Sequence, residues 1–333
     1  MLKASIEREV LMGNEKIRIL FLRFSSLGDV ILANFNAKKI KQKKPDWHLT
    51  WLVDSMYKEI VVSQPWVDDV IVWDRKKDGN LGFIKIIKFI RSQDFDVLID
   101  MHNTDRSSLL SFLSGIPSRY SERRRLPFAH NIHSFETIMD ESEKIYECPA
   151  YLDPPEGNRI MDLYFKDGKA KKRLTLAIGA SYEKKRWSIN RWIEFIKLAL
   201  EANFILYLVG DGEDEIRGAG DIMEAVKSDD LVNLVGKLSL SELVQLVNET
   251  DATISGDTGI LHIARALGKN IIGLFGPNLL SDNYLKSLSK SIYSICPELG
   301  CGNWQCSKPC LDTIQASTVL ESVIEVTERG GIK

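Results

Sequence analysis

Long apolar segments are missing from this 333-residue sequence, in which no run approaches the roughly 20 residues of a membrane-spanning helix. Its first residues, MLKASIEREVLMGNEK, are too charged for a secretory signal peptide. Neither a transmembrane segment nor export is therefore expected. The sequence predicts a cytoplasmic protein.

An excess of either charge is missing as well, because 44 Lys and Arg residues stand against 46 Asp and Glu residues. A surface that binds polyanions in general needs a clear basic excess. The composition therefore predicts no nucleic-acid partner, while a local basic cluster stays compatible with it.

Cysteine is scarce, and four of the five residues fall in one segment, at Cys296, Cys301, Cys306 and Cys310. A secreted protein held by disulfides spreads its cysteines along the chain. Structural zinc sites use two tight C-x-x-C pairs, and gaps of four, four and three residues depart from that spacing. Reduced thiols are therefore favoured over a metal site, which stays open as the alternative.

The length predicts two domains of ordinary size rather than a single core. A proline-rich stretch, CPAYLDPPEG at residues 148–157, interrupts the alternation of strands and helices. We expect a polar N-terminal extension at residues 1–16, a first domain at 17–150 and a second at 151–333. The final helix, predicted at residues 314–328, either stays in the second domain or crosses back to the first.

Apolar runs followed by helical periodicity recur along both halves, which is typical of parallel α/β sheets. The predicted strands lie at residues 17–24, 48–53, 69–73, 95–100, 174–178, 204–209, 232–235, 252–254 and 271–275. Helices are predicted between them, including residues 54–62 and 82–91. In such sheets ligands bind at the carboxyl ends of the strands.

The clearest unit lies at residues 252–278, ATISGDTGILHIARALGKNIIGLFGPN. Its strand, glycine turn, helix and strand direct a helix N-terminus, with free N–H groups and a positive dipole end, into a crevice that suits an anion. Asp257 or Thr258 is expected to cap that helix, Gly259 allows a ligand close to the backbone, and His262 lies one turn in. The alternative is an ordinary turn with a capping Asp and a partly buried His.

A second glycine turn opens the chain, where the apolar run IRILFLRF at residues 17–24 ends in Ser-Ser-Leu-Gly-Asp. It holds one glycine, so it is not the dinucleotide fingerprint G-x-G-x-x-G. The turn places Asp29 at the carboxyl end of a strand, where it is either a helix cap or a group that moves a proton.

The string DTGILHIARALGKNIIGLFGP resembles the C-terminal signature of glycosyltransferase family 9, the ADP-heptose:lipopolysaccharide heptosyltransferases. Its five parts are Asp-Thr-Gly, a His three residues on, Ala-Leu-Gly, an apolar strand and Phe-Gly-Pro. The resemblance extends over about residues 17–325. It implies an α/β fold of two Rossmann-like doubly wound domains facing a cleft, the glycosyltransferase B architecture.

In the N-terminal half the family's Arg-apolar-Ser-Ser-apolar-Gly-Asp segment matches residues 23–29, which implies that Asp29 is the general base of an inverting transfer. A second segment, Asp-apolar-His-small followed by Arg-Ser, begins at Asp100 and faces the acceptor in the family. The implied acceptor site contains Ser26, Gly28, His102, Asn103, Arg106 and Arg123.

Arg123 belongs to a run at residues 119–125 that holds four arginines. Such a run is either a solvated face or a clamp for the carboxylate and phosphate groups of an acidic acceptor.

In the C-terminal half the loop at residues 179–187 resembles the family's Lys-basic-Trp segment, so Lys185 is expected to balance charge on the leaving group. An acid at the next strand end, Glu213 with Asp211 or Asp214 as alternatives, is expected to bind ribose hydroxyls. The implied donor site contains Ser181, Lys185, Glu213, Asp257, Thr258, Gly259 and His262. Asp257 is assigned to its own loop rather than to phosphate, because both are negative.

No metal site is expected in the mechanism. The D-x-D string at Asp94 and Asp96 lies at the start of a strand, which is the wrong edge of a parallel sheet, so we interpret it as a solvated pair. No other group of carboxylates has metal-ligand spacing.

These features predict an inverting, metal-independent glycosyltransferase without a resident cofactor, which moves heptose from ADP-heptose to the lipopolysaccharide inner core. Its partners would be a nucleotide sugar and a core or lipid A acceptor at the inner face of the inner membrane. Two alternatives stay open: a nucleotide-sugar 2-epimerase of the same architecture, and a non-catalytic protein that binds a sugar nucleotide or a partner.

Overall fold

The computed structural model describes residues 16–121, 126–131, 151–155, 171–180, 182–276, 289–296 and 310–328. The chain divides into two units, Met1–Asp153 and Pro154–Lys333. The division falls within the proline-rich stretch, and the polar extension lies outside the described residues apart from Lys16.

The N-terminal unit is built on a five-stranded sheet in the order β3-β2-β1-β4-β5, with every neighbouring pair parallel. The strands are β1 (Arg18–Leu22), β2 (His48–Asp54), β3 (Asp69–Trp73), β4 (Val97–Asp100) and β5 (Ser118–Ser121). The helices are α1 (Leu27–Lys43), α2 (Lys58–Val62), α3 (Arg75–Arg91) and α4 (Asp105–Leu113), and 3-10 turns occupy Ser55–Tyr57 and Pro127–Ala129.

Strand β1 is central because its residues are apolar on both faces. Ile19, Leu20, Phe21 and Leu22 are all fully buried. One face joins a core cluster with Phe24, Leu52, Trp73 and Leu98 among its members. The strand predicted from the apolar run at residues 17–24 is therefore confirmed at Arg18–Leu22.

Two helices of this unit depart from the predicted bounds. The helix expected at residues 82–91 begins at Arg75, because Asp74 accepts the Lys77 N–H at 3.0 Å and starts the helix earlier. Its polar first turns and Gly79, whose φ of 53° interrupts the helical backbone, hide the periodicity there. The helix expected at residues 54–62 is a 3-10 turn followed by the short α2.

The C-terminal unit is built on a six-stranded parallel sheet in the order β11-β10-β9-β6-β7-β8. The strands are β6 (Arg173–Ala177), β7 (Ile205–Val209), β8 (Leu231–Asn233), β9 (Ala252–Gly256), β10 (Asn270–Phe275) and β11 (Lys290–Tyr293). The helices are α5 (Ile189–Glu201), α6 (Glu213–Ala225), α7 (Leu240–Glu249), α8 (Gly259–Ala266) and α9 (Ala316–Glu328), and 3-10 turns occupy Glu183–Lys185 and Cys310–Thr313.

The final helix, α9, belongs to the core of the C-terminal unit. Its buried residues Ala316, Val319 and Val323 lie in one apolar cluster with Trp192 and Phe195 of α5. The sequence also left open a crossing of this segment to the first unit, but the described residues of α9 pack here instead.

Both sheets have the strand order of a doubly wound fold, so the predicted pair of Rossmann-like α/β domains is confirmed. In each unit the first strand has its second and its fourth as neighbours, which makes β1/β4 and β6/β9 the switch points. Helices after two such strands leave on opposite faces and open a crevice at their carboxyl ends. Within the described ranges, no helix is long and apolar enough to cross a bilayer.

Candidate active site

The switch point of the N-terminal unit brings together the loops after β1 and β4. Leu22 at the end of β1 lies opposite Asp100 at the end of β4. One step further, the buried Arg23 donates from Nη1 to the carbonyl of Met101 and so joins the two loops. The residues that follow these strands therefore share one crevice.

Asp29 is the third residue of α1, and its carboxylate holds the helix start. Oδ2 accepts the backbone N–H of Ser26 at 3.2 Å and the Ser26 hydroxyl at 2.9 Å, and it forms an ion pair with Arg23. Ser26 is exposed, while Gly28 is buried inside the first turn. Asp29 thus has the structural role of a capping residue and also a position at the switch point.

The two oxygens of Asp29 differ in their surroundings. Both hydrogen bonds and the closest approach of Arg23 fall on Oδ2, so among the described residues none donates a hydrogen bond to Oδ1. The side chain is 36% exposed, against 8% for Arg23. A fixed carboxylate with one accessible oxygen is suited to accept a proton from a bound molecule.

The loop after β4 is organised by the fully buried carboxylate of Asp100. Its Oδ1 accepts the backbone N–H groups of His102 at 2.9 Å and Asn103 at 3.1 Å, and its Oδ2 accepts the Ser107 hydroxyl at 2.8 Å. His130 Nε2 lies 3.6 Å from the same Oδ2. Asp100 therefore fixes the backbone that presents His102 and Asn103.

Asn103 is turned inward rather than toward the crevice. It has a φ of 56°, which asparagine tolerates better than most residues. Its side-chain oxygen accepts the Ser121 hydroxyl at 2.7 Å, and its amide donates to the Met101 carbonyl at 3.3 Å. These contacts stabilise the loop, and its assignment to the acceptor stays a prediction.

The imidazole of His102 packs on Phe24, with ring centroids 4.7 Å apart. Burial, then the positive charges of Arg23 and Arg75, lower its pKa to about 4, although Asp100 and Asp29 oppose the shift. His102 is therefore neutral at physiological pH. It can serve there as a hydrogen-bonding group but carries no positive charge for an anionic acceptor.

The two predicted acceptor arginines are Arg106 and Arg123. The Arg106 guanidinium lies over the rings of Trp73 and Phe83, at 5.1 and 5.2 Å, and donates to the Gly79 carbonyl at 3.4 Å. It thus contacts α3 and its surroundings. Arg123 lies outside the described residues, as do its two neighbours in the arginine run.

Arg119, the first arginine of that run, fits neither of its predicted roles. It is partly buried, donates from Nε to the Ala129 carbonyl at 2.8 Å and from Nη1 to the Ile116 carbonyl, and burial lowers its pKa. It ties β5 to the neighbouring 3-10 turn. The interpretation of this residue as part of a solvated face or a clamp was wrong.

An ion pair near the same sheet edge, between Arg75 and Asp54, was missed by sequence reasoning. Arg75 donates from Nε to Asp54 at 2.8 Å and from Nη2 to the Ser25 hydroxyl at 2.8 Å. Tyr57 lies near this pair, and its pKa is raised by burial and by Asp54. The signal that could have found these residues is their place at the ends of β2 and β3, on the same sheet edge as Asp29.

The switch point of the C-terminal unit brings Lys185 and Asp257 into contact. Strands β6 and β9 are parallel neighbours, with Ala177 opposite Ser255. Lys185 Nζ lies 2.6 Å from Asp257 Oδ2, and each side chain is 18% exposed. Two of the residues that the family resemblance assigns to one donor site, Lys185 and Asp257, therefore meet here.

Gly256, directly before Asp257, allows the two loops to approach so closely. A Cβ added there would lie 2.7 Å from the Lys185 carbonyl oxygen, closer than real side chains come. Because that oxygen belongs to the backbone, the loop would have to move. A glycine is therefore required at the end of β9.

The start of α8 differs from the predicted cap. Thr258 is the capping position, but its hydroxyl pairs with the Ser255 hydroxyl at 2.9 Å, and no side-chain cap closes the helix. Asp257 binds Lys185, and of the two predicted residues Thr258 takes the capping position, without a side-chain hydrogen bond to the helix. The Thr258 side chain caps none of the N–H groups of the first turn, and the N-terminus of such a helix suits an anion. His262, one turn after Thr258, lies on the same side of the helix.

Three consecutive acids begin α6, and their surroundings separate them. Glu213, the predicted ribose ligand, is exposed. Asp214 pairs with Arg186 at 2.9 Å and with Arg217, and hydrogen bonds from these arginines lower its pKa. Glu215 is 11% exposed and lies 3.5 Å from Arg186. Glu215 is therefore the acid that turns inward here, and sequence reasoning missed it.

Glycines make room for Glu215. A Cβ on Gly179 or on Gly212 would lie 2.3 Å from its side chain, and one on Gly210 would lie 3.1 Å away. The signal in the sequence is the pair of glycines before the acids, which follows the apolar run of β7. Which of the three acids lies against these glycines depends on the direction in which each side chain leaves α6.

Arg186 connects the loop after β6 to the start of α6. Its Nε donates to the Ala180 carbonyl at 2.7 Å, while its other nitrogens reach the acids of α6. Trp187 anchors the same loop by donating to the Ile314 carbonyl at 3.2 Å. A cavity of about 320 Å³ lies beside Arg186 and is also lined by Asp312. Ser181 lies outside the described residues.

The described residues contain no group of three His, Cys, Asp or Glu side chains that could hold a metal ion. Cys301 and Cys306 are outside them, while Cys296 is partly buried and Cys310 is buried. In the D-x-D string, Asp94 is exposed, but Asp96 accepts the backbone N–H of Arg18 at 2.8 Å. Asp96 therefore closes the start of β1, and its interpretation as solvated was wrong.

Comparison with known proteins gives a match of residues 83–310 to the model of glycosyltransferase family 9 (heptosyltransferase). Lipopolysaccharide heptosyltransferase 1 of Campylobacter coli is 23% identical, over 93% of this chain and 99% of its own. The structure of E. coli ADP-heptose lps heptosyltransferase II matches with a TM-score of 0.75 at 18% identity, covering 94% of this chain and 99% of its own. The structure of E. coli heptosyltransferase WaaC with ADP-2-deoxy-2-fluoro heptose matches with a TM-score of 0.69 at 18% identity, covering 93% of this chain and 99% of its own.

We expect the buried, neutral His102 to make the N-terminal unit less stable as the pH falls below 6.5. Its folded pKa of about 4 lies below the ordinary 6.5, so its contribution to stability is present above pH 6.5 and is lost as the pH falls toward 4. In a His102→Gln variant, the decrease in unfolding free energy between pH 7 and pH 5 should be smaller by about 2 kcal/mol. Urea denaturation at both pH values measures this difference.

An NMR titration of the His102 ring provides the direct check. A midpoint near pH 6.5 in the folded protein would contradict the buried, cation-flanked environment. An unchanged pH dependence in the variant would do the same.

Proposed function

Since the chain belongs to glycosyltransferase family 9, the heptosyltransferases, and is a glycosyltransferase, we propose that it moves heptose from ADP-heptose to the inner core of lipopolysaccharide. The reaction is metal-independent and inverts the anomeric centre. It needs no resident cofactor. The acceptor would bring the enzyme to the cytoplasmic face of the inner membrane.

One observation carries this proposal: each unit has a switch point, and one holds a proton acceptor while the other holds groups that bind anions. The first has a fixed carboxylate with an accessible oxygen, at Asp29. The second has a lysine, Lys185, beside the uncapped N-terminus of α8. A carboxylate suits the acceptor hydroxyl, and a cation with free N–H groups suits a diphosphate.

In the proposed mechanism, Asp29 Oδ1 removes the proton from the acceptor hydroxyl. The acceptor oxygen forms a bond to the anomeric carbon while the bond from that carbon to the diphosphate oxygen breaks, and ADP takes the electron pair. One displacement inverts the configuration. Ser26 and Arg23 hold Oδ2, so the carboxylate keeps its orientation as Oδ1 gains the proton.

On the donor side, Lys185 and the backbone N–H groups near Thr258 and Gly259 would bind the diphosphate. Charge on the leaving group grows in the transition state, so these groups stabilise it more than the bound donor. Asp257 holds Lys185 in place through their 2.6 Å contact. His262 adds a contact from the same side of α8, and Glu213, exposed at the start of α6, would bind ribose hydroxyls.

The acceptor would lie on the N-terminal sheet edge, near Ser26, His102 and Arg106. A neutral His102 fits a hydrogen bond to a sugar hydroxyl. Arg75, held by Asp54 and Ser25 on the same edge, is a further group for the acidic groups of an inner core.

The experiment that tests the proposal follows heptose labelled in the sugar from ADP-heptose to purified truncated lipopolysaccharide. Label should appear in the lipid fraction, UDP, GDP and dTDP sugars should compete poorly, and NMR of the product should show inversion. Activity should survive EDTA. Label that stays on the nucleotide as a 2-epimer, or that goes only to water, would contradict the transferase assignment, and loss with EDTA that Mg²⁺ restores would contradict metal independence.

The role of Asp29 predicts a selective loss of turnover. Asp29→Asn should lower kcat on the order of a hundredfold or more, while donor affinity stays nearly unchanged, because only the base is removed. Kinetics and calorimetric ADP titration measure the two effects. Asp94→Asn, an exposed carboxylate of the same unit, is the matched control and should behave as the parent protein.

Because Asp29 pairs with the buried Arg23, thermal melting must accompany that test. A folded Asp29→Asn protein with parental turnover would rule out the base assignment. Donor affinity that drops as steeply as turnover would show a different role.

Lys185 should affect binding and turnover together. Lys185→Ala is expected to weaken ADP binding on the order of tenfold and to lower kcat by a further factor on the order of ten, since leaving-group charge grows in the transition state. His262→Ala should act in the same direction more mildly. Lys197→Ala, an exposed lysine on α5, is the control. Unchanged ADP affinity in Lys185→Ala would remove this residue from the donor site.

A further inference from the structure

An unusual share of the exposed apolar side chains lies on one face of the N-terminal unit. Among the described residues, thirteen large apolar side chains are exposed, and six of them belong to α3, α4 and the 3-10 turn Pro127–Ala129. These six are Leu81 (72%), Ile84 (51%), Phe89 (46%), Leu109 (39%), Phe112 (47%) and Phe128 (61%). We refer to these six residues and the basic side chains between them as the α3–α4 face.

The elements of the α3–α4 face are in direct contact. Arg106 of α4 lies 5.2 Å from the Phe83 ring of α3, and Arg91 of α3 donates to the Leu113 carbonyl of α4 at 3.4 Å. On the other side of α4, the rings of Phe112 and Phe128 meet edge to face at 5.2 Å. The three elements that carry the exposed residues are therefore direct neighbours.

The exposure on α3 follows from its helical phase. Gly82, Ile86 and Ile90 form the buried stripe of this helix. Leu81 and Ile84 lie on the opposite side at helical spacing, so they cannot turn into the same core. A surface helix ordinarily carries polar residues there.

Positive charge accompanies these apolar residues. Between residues 81 and 91 the helix carries Lys85, Lys88 and Arg91 and no acidic residue, and all three are exposed. Lys85 and Lys88 share the outward side with Leu81 and Ile84. The α3 part of the face is thus apolar and basic together, and α4 adds the exposed pair Asp105 and Arg106.

We propose that the α3–α4 face docks on the surface of a bilayer that contains anionic phospholipids. Its apolar side chains enter the headgroup region, and the lysines reach the lipid phosphates. Lysine is depleted in protein interfaces, so Lys85 and Lys88 at the centre favour lipid over a protein partner or a second copy. The choice of a bilayer also rests on the proposed function, because a lipopolysaccharide acceptor is anchored in a membrane.

The test is flotation of the full-length protein with vesicles, without acceptor or donor. The parent protein should float with vesicles of phosphatidylethanolamine and phosphatidylglycerol, less with phosphatidylcholine alone, and less at high salt. Lys85→Glu with Lys88→Glu should weaken binding on the order of tenfold or more. Leu81→Gln with Ile84→Gln should weaken binding to anionic vesicles at low and at high salt alike, because these substitutions remove apolar contact rather than charge.

Matched controls separate this face from a general effect of charge. Lys197→Glu with Lys227→Glu makes the same charge change at exposed sites of the C-terminal unit, and Val62→Gln replaces an exposed apolar residue elsewhere in the N-terminal unit. Both should float as the parent does. A parent that does not bind vesicles, or controls that lose binding equally, would overturn the proposal.

Two further measurements identify other outcomes. Size-exclusion chromatography of the parent and of the Leu81 and Ile84 variant would reveal a dimer formed through this face, which would assign it to a second copy and overturn the lipid assignment. Transfer to an acceptor dispersed in detergent should be unchanged in all variants. Vesicle binding without any transferase activity would contradict the proposed function and leave the docking surface intact. Transferase activity without vesicle binding would overturn the docking proposal and leave the proposed function intact.

Discussion

Parallel pairing of every strand with its neighbours is the constraint on which both units depend. It places all carboxyl ends of a sheet at one edge and requires each connection to return over a face. Helices on both faces follow, and so do central strands such as β1, whose residues are buried on either side. At β1/β4 and β6/β9 the connections leave on opposite faces of the sheet, so the loops that carry the candidate site residues meet at these strand ends.

The central strands could be predicted from the sequence because burial on two faces demands an unbroken apolar run. Two of the four edge strands, β5 and β11, could not. Strand β5 reads SRYS and β11 reads KSIY, and each lies at the end of its sheet, where less apolar surface needs covering. The early start of α3 was equally hidden, since its first turns are polar and Gly79 breaks the helical backbone.

The candidate site also has parts that the sequence predicts and parts that it does not. The family motif identified Asp29, Lys185 and Asp257 as residues, but their partners depend on tertiary contacts between distant loops. Asp257 or Thr258 was expected to cap α8, and the close approach allowed by Gly256 brings Asp257 to Lys185. At α6 three acids stand in a row, and each points about 100° from the last, so only packing against the surrounding glycines selects Glu215. Arg23 was visible in the motif, yet nothing in the sequence states that its buried charge holds one oxygen of Asp29.

The contact between Lys185 and Asp257 has a consequence for selectivity in the proposed donor site. Any anion that approaches this lysine competes with a carboxylate already held 2.6 Å away. Inorganic phosphate or a nucleoside monophosphate replaces one such contact with another and gains little. Two linked phosphates can reach the lysine and the N-terminus of α8 at once. In the proposed donor site, the ion pair would therefore favour a pyrophosphate over small anions that carry a single phosphate.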